Sequence, residues 1–175
     1  MSAWVGRLSG ASVLLLFYAL GVGCSELLDA VGGGECPEKA TGVDPAAVAT
    51  VLEHIYAVGH GRVVFLEVAS DVMDAEEVAE FRAALAERLG VGVYPPEEAD
   101  RSVDPSLPVL TPRHRETGEI GITLLVDRAV QDEAGRWVLS VGYVRSGLDA
   151  QGFDFTLELA DDGWRVVDIR ETWVA

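Results

Sequence analysis

Glu67 is the first residue whose position suggests acid–base chemistry. It lies in the run Arg62 to Val68 and alternates with Val63 and Phe65, which predicts a strand with its carboxylate turned into the interior. A buried carboxylate can act as a general base. The alternative is an acid at the end of a strand, where it makes a structural salt bridge.

The last strand-like run of the chain supplies a second candidate. Asp168 and Arg170 are expected on the same side of this run as Trp164 and Val166, which would set an acid beside an ion pair. A structural salt bridge is again the alternative. Tyr143 completes the set of pocket candidates, although we expect it and the tryptophans to pack in the core rather than to form a platform for a ligand.

The histidines and cysteines do not predict a metal site. His54 and His60 are six residues apart, about 240° around a helix, so they cannot share a face. We interpret both as residues at the end of a helix, where a cation complements the helix dipole. The two cysteines, Cys24 and Cys36, lack the spacing and the paired histidines of a zinc site. We therefore expect no metal.

His114 belongs to the one basic cluster of an acidic chain, Pro112-Arg113-His114-Arg115. We expect this cluster to be a solvated loop. The alternative is a contact with an anion or with an acidic partner.

Motifs for nucleophilic catalysis and for phosphate or calcium binding are missing from the sequence. There is no Gly-x-Ser-x-Gly elbow, and the glycines at 32–34 precede no Lys-Ser or Lys-Thr pair. Asp161-Asp162-Gly163 lacks the later acidic ligands of a calcium loop and is interpreted as a hairpin turn. No cofactor and no catalytic residue is predicted.

The composition excludes some partners. The chain has 175 residues, of which 49% are hydrophobic, so it is long and apolar enough to fold around one core. Its formal net charge is -16. Because this charge repels phosphate backbones, we expect no nucleic-acid partner.

The first 23 residues have the pattern of an export signal. Arg7 is the only charged residue before Glu26, and an apolar run follows from Ala11 to Val22. As a helix this run would be about 18 Å long, shorter than the roughly 30 Å hydrocarbon core of a membrane. A basic start, a short apolar run and small residues after it are typical of a signal peptide.

The end of this run, Leu20-Gly21-Val22-Gly23-Cys24-Ser25, resembles the lipobox of bacterial lipoproteins. The resemblance implies that Cys24 carries a lipid and becomes the first residue of the mature protein. Gly23 fits the pattern, whereas Gly21 departs from it because a larger aliphatic residue usually stands there. The alternative is an ordinary signal peptide and a Cys24–Cys36 disulfide in a periplasmic or secreted protein. Residues 24–43 are glycine-rich and are predicted to form a flexible tether.

The remaining residues, 44–175, are predicted to form one α+β domain. Asp44-Pro45 and Asp74 are helix starts, and each precedes an apolar stripe that ends at a glycine, Gly59 or Gly90. From Gly118 onward, alternating residues predict an antiparallel meander of four strands with one apolar face. One of its alternating series is Val167, Ile169 and Trp173.

Residues 90–118 form a long connection that contains five of the seven prolines. Such a connection is usually functional or mobile. Within it, Val91 to Tyr94 and Val109-Leu110 could add short edge strands.

The order of helix, strand, helix and meander resembles the cystatin-like and nuclear-transport-factor-like folds, as does the ending from Gly163 to Ile169 followed by Trp173-Val174. The resemblance implies two helices packed on a curved antiparallel sheet. Enzymes of this fold class usually carry an Asp–His or Tyr–Asp pair in the cone of the sheet. No histidine follows residue 118, so only a pair formed by Tyr143 and an aspartate would fit.

We therefore expect an exported, lipid-anchored protein of the bacterial envelope that acts as a binding or structural module, with another envelope protein as partner. The alternative is a small-molecule-binding or isomerase-like enzyme that uses a pocket between the helices and the sheet. An open apolar cavity with Glu67 or Asp168 at its floor would favour the enzyme, and a filled core would favour the module.

Overall fold

The computed structural model describes residues 42–101 and 111–174, in which two helices lie against a six-stranded sheet beside a small two-stranded sheet. In chain order the elements are α1 (Pro45–Gly59), β1 (Val63–Val68), α2 (Ala75–Leu89), β2 (Gly92–Tyr94), a 3-10 turn (Pro96–Glu98), β3 (Ala99–Asp100), β4 (Arg113–His114), β5 (Gly121–Gln131), β6 (Trp137–Ser146), β7 (Asp149–Ala160) and β8 (Gly163–Val174). The predicted α+β class is confirmed.

Both helices begin where the sequence predicted. Asp44 caps α1 by accepting a hydrogen bond from the Ala46 amide, and Asp74 forms a capping box with Glu77 at the start of α2. Gly90 ends α2 in the left-handed conformation, at φ 69°. In α1 the residue with positive φ is His60 and not Gly59, which is still helical. Among the described residues, neither helix combines the length and apolar character that crossing a membrane requires.

The six-stranded sheet has the strand order β2-β1-β5-β6-β7-β8. Strands β5 to β8 form the predicted antiparallel meander. Strand β1 pairs in parallel with both β2 and β5, so the prediction of a wholly antiparallel sheet is wrong. For β1 and β2 the reason is the helix between them, because a crossover of this kind returns the chain in its original direction. Strand β5 follows the long connection and runs beside β1 in the same direction.

One face of the sheet, here called the helix face, packs against both helices. The core on this face joins the buried stripe of α1, which includes Val48, Leu52 and Ile55, to alternate residues of the strands. Those strand residues are Val64, Leu66, Ile122, Leu124, Val126, Ala129, Trp137, Leu139, Val141, Tyr143, Phe155 and Leu157. The apolar face of the predicted meander is thus the face that α1 covers.

The opposite face, here called the outer face, is covered over β1 by residues from the long connection. Val63 and Phe65 form a second small cluster with Ala99, and Tyr94 packs against it. The predicted edge strand near Tyr94 is present as β2, whereas Val109-Leu110 lies outside the described residues.

Strand β8 differs from its predicted alternation. The pairing of β7 with β8 shifts register twice, between Gly152 and Phe153 and between Thr156 and Leu157. Each shift marks a bulge, which moves the following residues of β8 to the other face. As a result Ile169 pairs with Phe155 on the helix face, while Trp173 pairs with Gly152 on the outer face.

Candidate functional site

A shallow cleft lies on the helix face between α1 and the last strand, and we call it the α1–β8 cleft. Its lining is apolar apart from His54 and the Tyr143 hydroxyl, and the lip residues Val58 and Ile169 are 58% and 43% exposed. The His54 ring packs edge-on against Phe155, with 5.5 Å between ring centroids. The residues that line it are His54, Ile55, Val58, Tyr143, Phe153, Phe155 and Ile169.

The size of the cleft restricts what it can take. Its volume is about 60 Å³, enough for about four water molecules. Pockets for metabolites and drug-sized ligands are larger, about 300–1,000 Å³. The α1–β8 cleft therefore suits one branched or linear apolar side chain rather than a whole small molecule.

Tyr143 forms the polar end of this cleft. It is buried, and its hydroxyl donates a hydrogen bond to the Gln151 side-chain oxygen at 2.9 Å and lies 3.3 Å from Asp149 Oδ1. Arg145 forms an ion pair with Asp149 and donates to the Gly59 carbonyl at 3.3 Å. Burial raises the pKa of the Tyr143 hydroxyl above its ordinary value, and the Asp149 carboxylate raises it further. Tyr143 is consequently a neutral hydrogen-bond donor at physiological pH.

Glu67 lies in another part of the domain. Its side chain is 33% exposed, and Glu67 Oε2 is 3.5 Å from Arg101 Nη2. The predicted inward orientation is therefore wrong, because Glu67 lies near the end of β1 on the outer face, past the cluster that covers Val63 and Phe65. This placement matches the alternative of a structural salt bridge at a strand end.

Asp168 and Arg170 are exposed on the outer face of β8. Trp164 and Val166 pack against the core on the helix face, so the expectation that all four share one side is wrong. The bulge at Val167 is the cause, since it reverses the alternation between Val166 and Asp168.

The structure thus does not bring the four pocket candidates together. Tyr143 lines the α1–β8 cleft, whereas Glu67, Asp168 and Arg170 do not. Throughout residues 42–101 and 111–174, no group of three His, Cys, Asp or Glu side chains could hold a metal ion. The cleft contains a hydrogen-bond donor but lacks a carboxylate at its floor.

His114 is buried, and the expectation of a solvated loop is wrong. It is 5% exposed and packs against Tyr94, with 4.3 Å between ring centroids and the two rings tilted by 49°. The Thr117 amide donates to His114 Nδ1 at 3.2 Å. The ring proton is therefore on Nε2, which donates to Glu98 at 3.2 Å. Every ring nitrogen has a partner, which makes His114 a structural residue that joins two parts of the long connection.

Six of the seven cleft residues were missed as site residues from sequence, namely His54, Ile55, Val58, Phe153, Phe155 and Ile169. The apolar alternation predicted Phe153 and Ile169 as core. The signal in the sequence is the same for a core residue and for a cleft residue. Cys24, Cys36 and the whole of the predicted signal peptide lie outside the described residues.

Comparison with known proteins adds no further information on this site. No family model matches the sequence, and neither the curated proteins nor the solved structures include a significant match.

Proposed function

We propose that this chain is an exported protein of the bacterial envelope, held at the membrane by a lipid on Cys24, whose α+β domain is a binding module. The α1–β8 cleft takes an apolar side chain from another envelope protein. The observation that carries the second part is the size and lining of the cleft, about 60 Å³ between apolar residues.

The envelope location is supported by the N-terminal sequence. A single arginine precedes the apolar run, and the small residue Gly23 comes just before Cys24. The glycine-rich residues 24–43 would then act as a tether that holds the domain away from the lipid surface. A net charge of -16 disfavours direct contact with anionic headgroups, which fits a domain that faces partners rather than lipid.

The role of a binding module is supported by what surrounds the cleft. Neither Glu67 nor Asp168 lines it, and its one buried polar group, the Tyr143 hydroxyl, is engaged with Gln151. A catalytic pocket needs room for a substrate and a group that can move a proton. The cleft is too small to meet the first of these requirements.

The finer fold assignment is part of the same proposal. A helix that crosses a long antiparallel meander supports a cystatin-like or nuclear-transport-factor-like domain. The parallel pairs β2–β1 and β1–β5 are additions to that arrangement.

A second candidate function is the isomerase-like enzyme, which the pair of Tyr143 and Asp149 favours. The Tyr143 hydroxyl and the Asp149 carboxylate lie 3.3 Å apart, and Tyr143 lines the cleft. In this case Tyr143 would polarise a substrate carbonyl by hydrogen bonding, and the cleft would have to widen to admit the substrate.

Two experiments test the leading proposal. Intact-mass analysis of the membrane fraction should find a thioether-linked diacylglycerol on Cys24, and an unmodified chain beginning elsewhere would contradict the anchor. For the cleft, a photo-reactive amino acid at His54 should give an adduct with an envelope protein in living cells. Val58→Glu should reduce that adduct about tenfold, because it places a carboxylate on the apolar lip.

The matched control is the same photo-reactive residue at Leu148, which is 75% exposed in the turn between β6 and β7. Equal adducts from His54 and Leu148, or an adduct that Val58→Glu leaves unchanged, would remove the cleft from the proposal. Isomerase activity that is lost on Tyr143→Phe would instead favour the second candidate.

A further inference from the structure

The two edges of the large sheet differ in length. Strand β2 has 3 residues, whereas β8 has 12, and within the described residues no strand pairs with the free side of β8. A long edge strand presents unpaired backbone N–H and C=O groups and readily pairs with another strand. Two apolar side chains at this edge, Val167 and Ile169, are 39% and 43% exposed.

The charge of β8 differs from that of the rest of the chain. The net charge is -16, yet β8 carries two arginines, Arg165 and Arg170, and two acids, Asp168 and Glu171. Two copies of so acidic a protein repel each other over most of their surfaces. Strand β8 is locally neutral, so it is a surface on which two copies can approach without that cost.

The bulges limit the part of β8 that can pair regularly. The extra residues are Val167 and Thr172, so the regular run is 168–171. When two copies of a strand pair antiparallel about a two-fold axis, the residues opposite each other must point to the same face. The axis must therefore lie midway between the two copies of one residue, which is then opposite itself. The axis can therefore lie at Asp168, Ile169, Arg170 or Glu171.

Charge selects one of these four registers. An axis at Asp168 or Glu171 would oppose two carboxylates, and an axis at Arg170 would oppose two arginines. Directly opposed like charges destabilise a strand pair. An axis at Ile169 opposes Ile169 to its own copy and places Asp168 of each copy opposite Arg170 of the other. Neither Asp168 nor Arg170 forms an ion pair within residues 42–101 and 111–174.

We infer that β8 pairs with β8 of a second copy of this chain about a two-fold axis at Ile169, which joins the two sheets into one of twelve strands. Two Asp168–Arg170 ion pairs lie on the outer face, and the two Ile169 side chains meet on the helix face. Because Ile169 also lines the α1–β8 cleft, the second copy's Ile169 comes within about 5 Å of it between Cα atoms. Each copy thereby extends the apolar wall of the other's cleft. This inference goes beyond the proposed function and does not depend on the lipid at Cys24.

The test uses the full-length chain in the bacterium that produces it. Ile169→Cys places one thiol of each copy at the axis, within the range of Cα separations that a disulfide spans. Mild oxidation should give a covalent dimer on a non-reducing gel. The controls are the parent chain, which retains Cys24 and Cys36, and Leu159→Cys, which is on β7 and 67% exposed. Both should give no more than background dimer.

Charge reversal then tests the register. Added to Ile169→Cys, Asp168→Arg should reduce the dimer about tenfold, and Arg170→Asp should do the same, because each opposes like charges twice. When the two variants are produced together with tags of different size, the mixed dimer should return to the parental amount. Of the three dimers that the two charge variants can form, only the mixed dimer restores the parental arrangement, in which every arginine faces an aspartate.

Three results would overturn the inference. These are no excess of dimer from Ile169→Cys over Leu159→Cys, no recovery in the mixed dimer, and crosslinking of position 169 to a different protein, which would assign the edge to another partner. The photo-adduct at His54 is measured separately, so a failure of the dimer and a failure of the cleft proposal are distinguishable.

Discussion

Gly152→Ala is the substitution that tests most directly the outer face of the meander. Gly142 and Gly152 pair across β6 and β7, and the Trp173 indole lies over both. A methyl group added at Gly152 would overlap the indole, with its Cβ only 2.6 Å from Trp173 Cδ1. Either the indole leaves the sheet or the strands move apart.

The expected change in the free energy of unfolding is the sum of two opposed effects. Overpacking of this kind costs about 1–3 kcal/mol. Alanine in a strand is favoured over glycine by about 0.5–1 kcal/mol through backbone entropy. Gly152→Ala should therefore destabilise the chain by up to about 2.5 kcal/mol, whereas in a Trp173→Ala background it should stabilise it by about 0.5–1 kcal/mol.

The assay is urea unfolding of the full-length chain, followed by far-ultraviolet circular dichroism, for the parent, both single variants and the double variant. Gly142→Ala is the matched control. Its Cβ would lie 2.8 Å from the Gln151 carbonyl oxygen, so it should destabilise the chain with or without Trp173. The same change from Gly152→Ala in both backgrounds would refute the placement of Trp173 on the outer face.

Three further predictions concern single side chains. The raised pKa of Tyr143 keeps its hydroxyl neutral, so the contribution of this hydroxyl to the free energy of unfolding is present below pH 10.0 and is lost as the pH rises through the raised value. Tyr143→Phe should flatten this alkaline loss of stability in urea unfolding. An unchanged loss would mean that another group causes it. The hydrogen bond from Arg136 holds the pKa of Asp132 below its ordinary 3.8. The contribution of the Asp132 carboxylate to the free energy of unfolding is therefore present above pH 3.8 and is lost as the pH falls through the lowered pKa. Asp132→Asn should accordingly lower the urea midpoint at neutral pH and differ less from the parent in acid; a constant difference would contradict this. Asp74→Ala should cost about 0.5–2 kcal/mol of unfolding free energy, because Asp74 caps two amides of α2, and an equal loss from Asp71→Ala, which caps no helix, would argue against a capping effect.

Local features of this fold could be predicted from sequence because their causes are local. A cap such as Asp74 acts on amides two and three residues away, and the four strands of the meander follow from alternation over ten or so residues. The direction of β1 could not be predicted in this way. Alternation is the same in parallel and antiparallel strands, and the partners of β1 are distant in sequence.

The candidate site also contains residues whose positions the sequence predicted and residues whose positions it did not. Tyr143 was a pocket candidate from sequence, and it does line the cleft. His114 was assigned to solvent because its neighbours in sequence are basic, but its neighbours in space are Tyr94, Phe65 and Glu98. A residue's burial depends on contacts across the chain, which a window of sequence does not contain.

The sequence by itself determined the class of the fold, the two helices and the four-strand meander, and it predicts an exported, lipidated chain. Each of these depends on residues that are close together along the chain. Only the tertiary structure decided which face each residue of β8 occupies. Two bulges, set by pairing with β7, reverse the alternation of β8. Relative to Trp164 and Val166 on the helix face, the bulge at Val167 puts Asp168 and Arg170 on the outer face and Ile169 beside α1, where it completes the cleft. The bulge at Thr172 then returns Trp173 to the outer face.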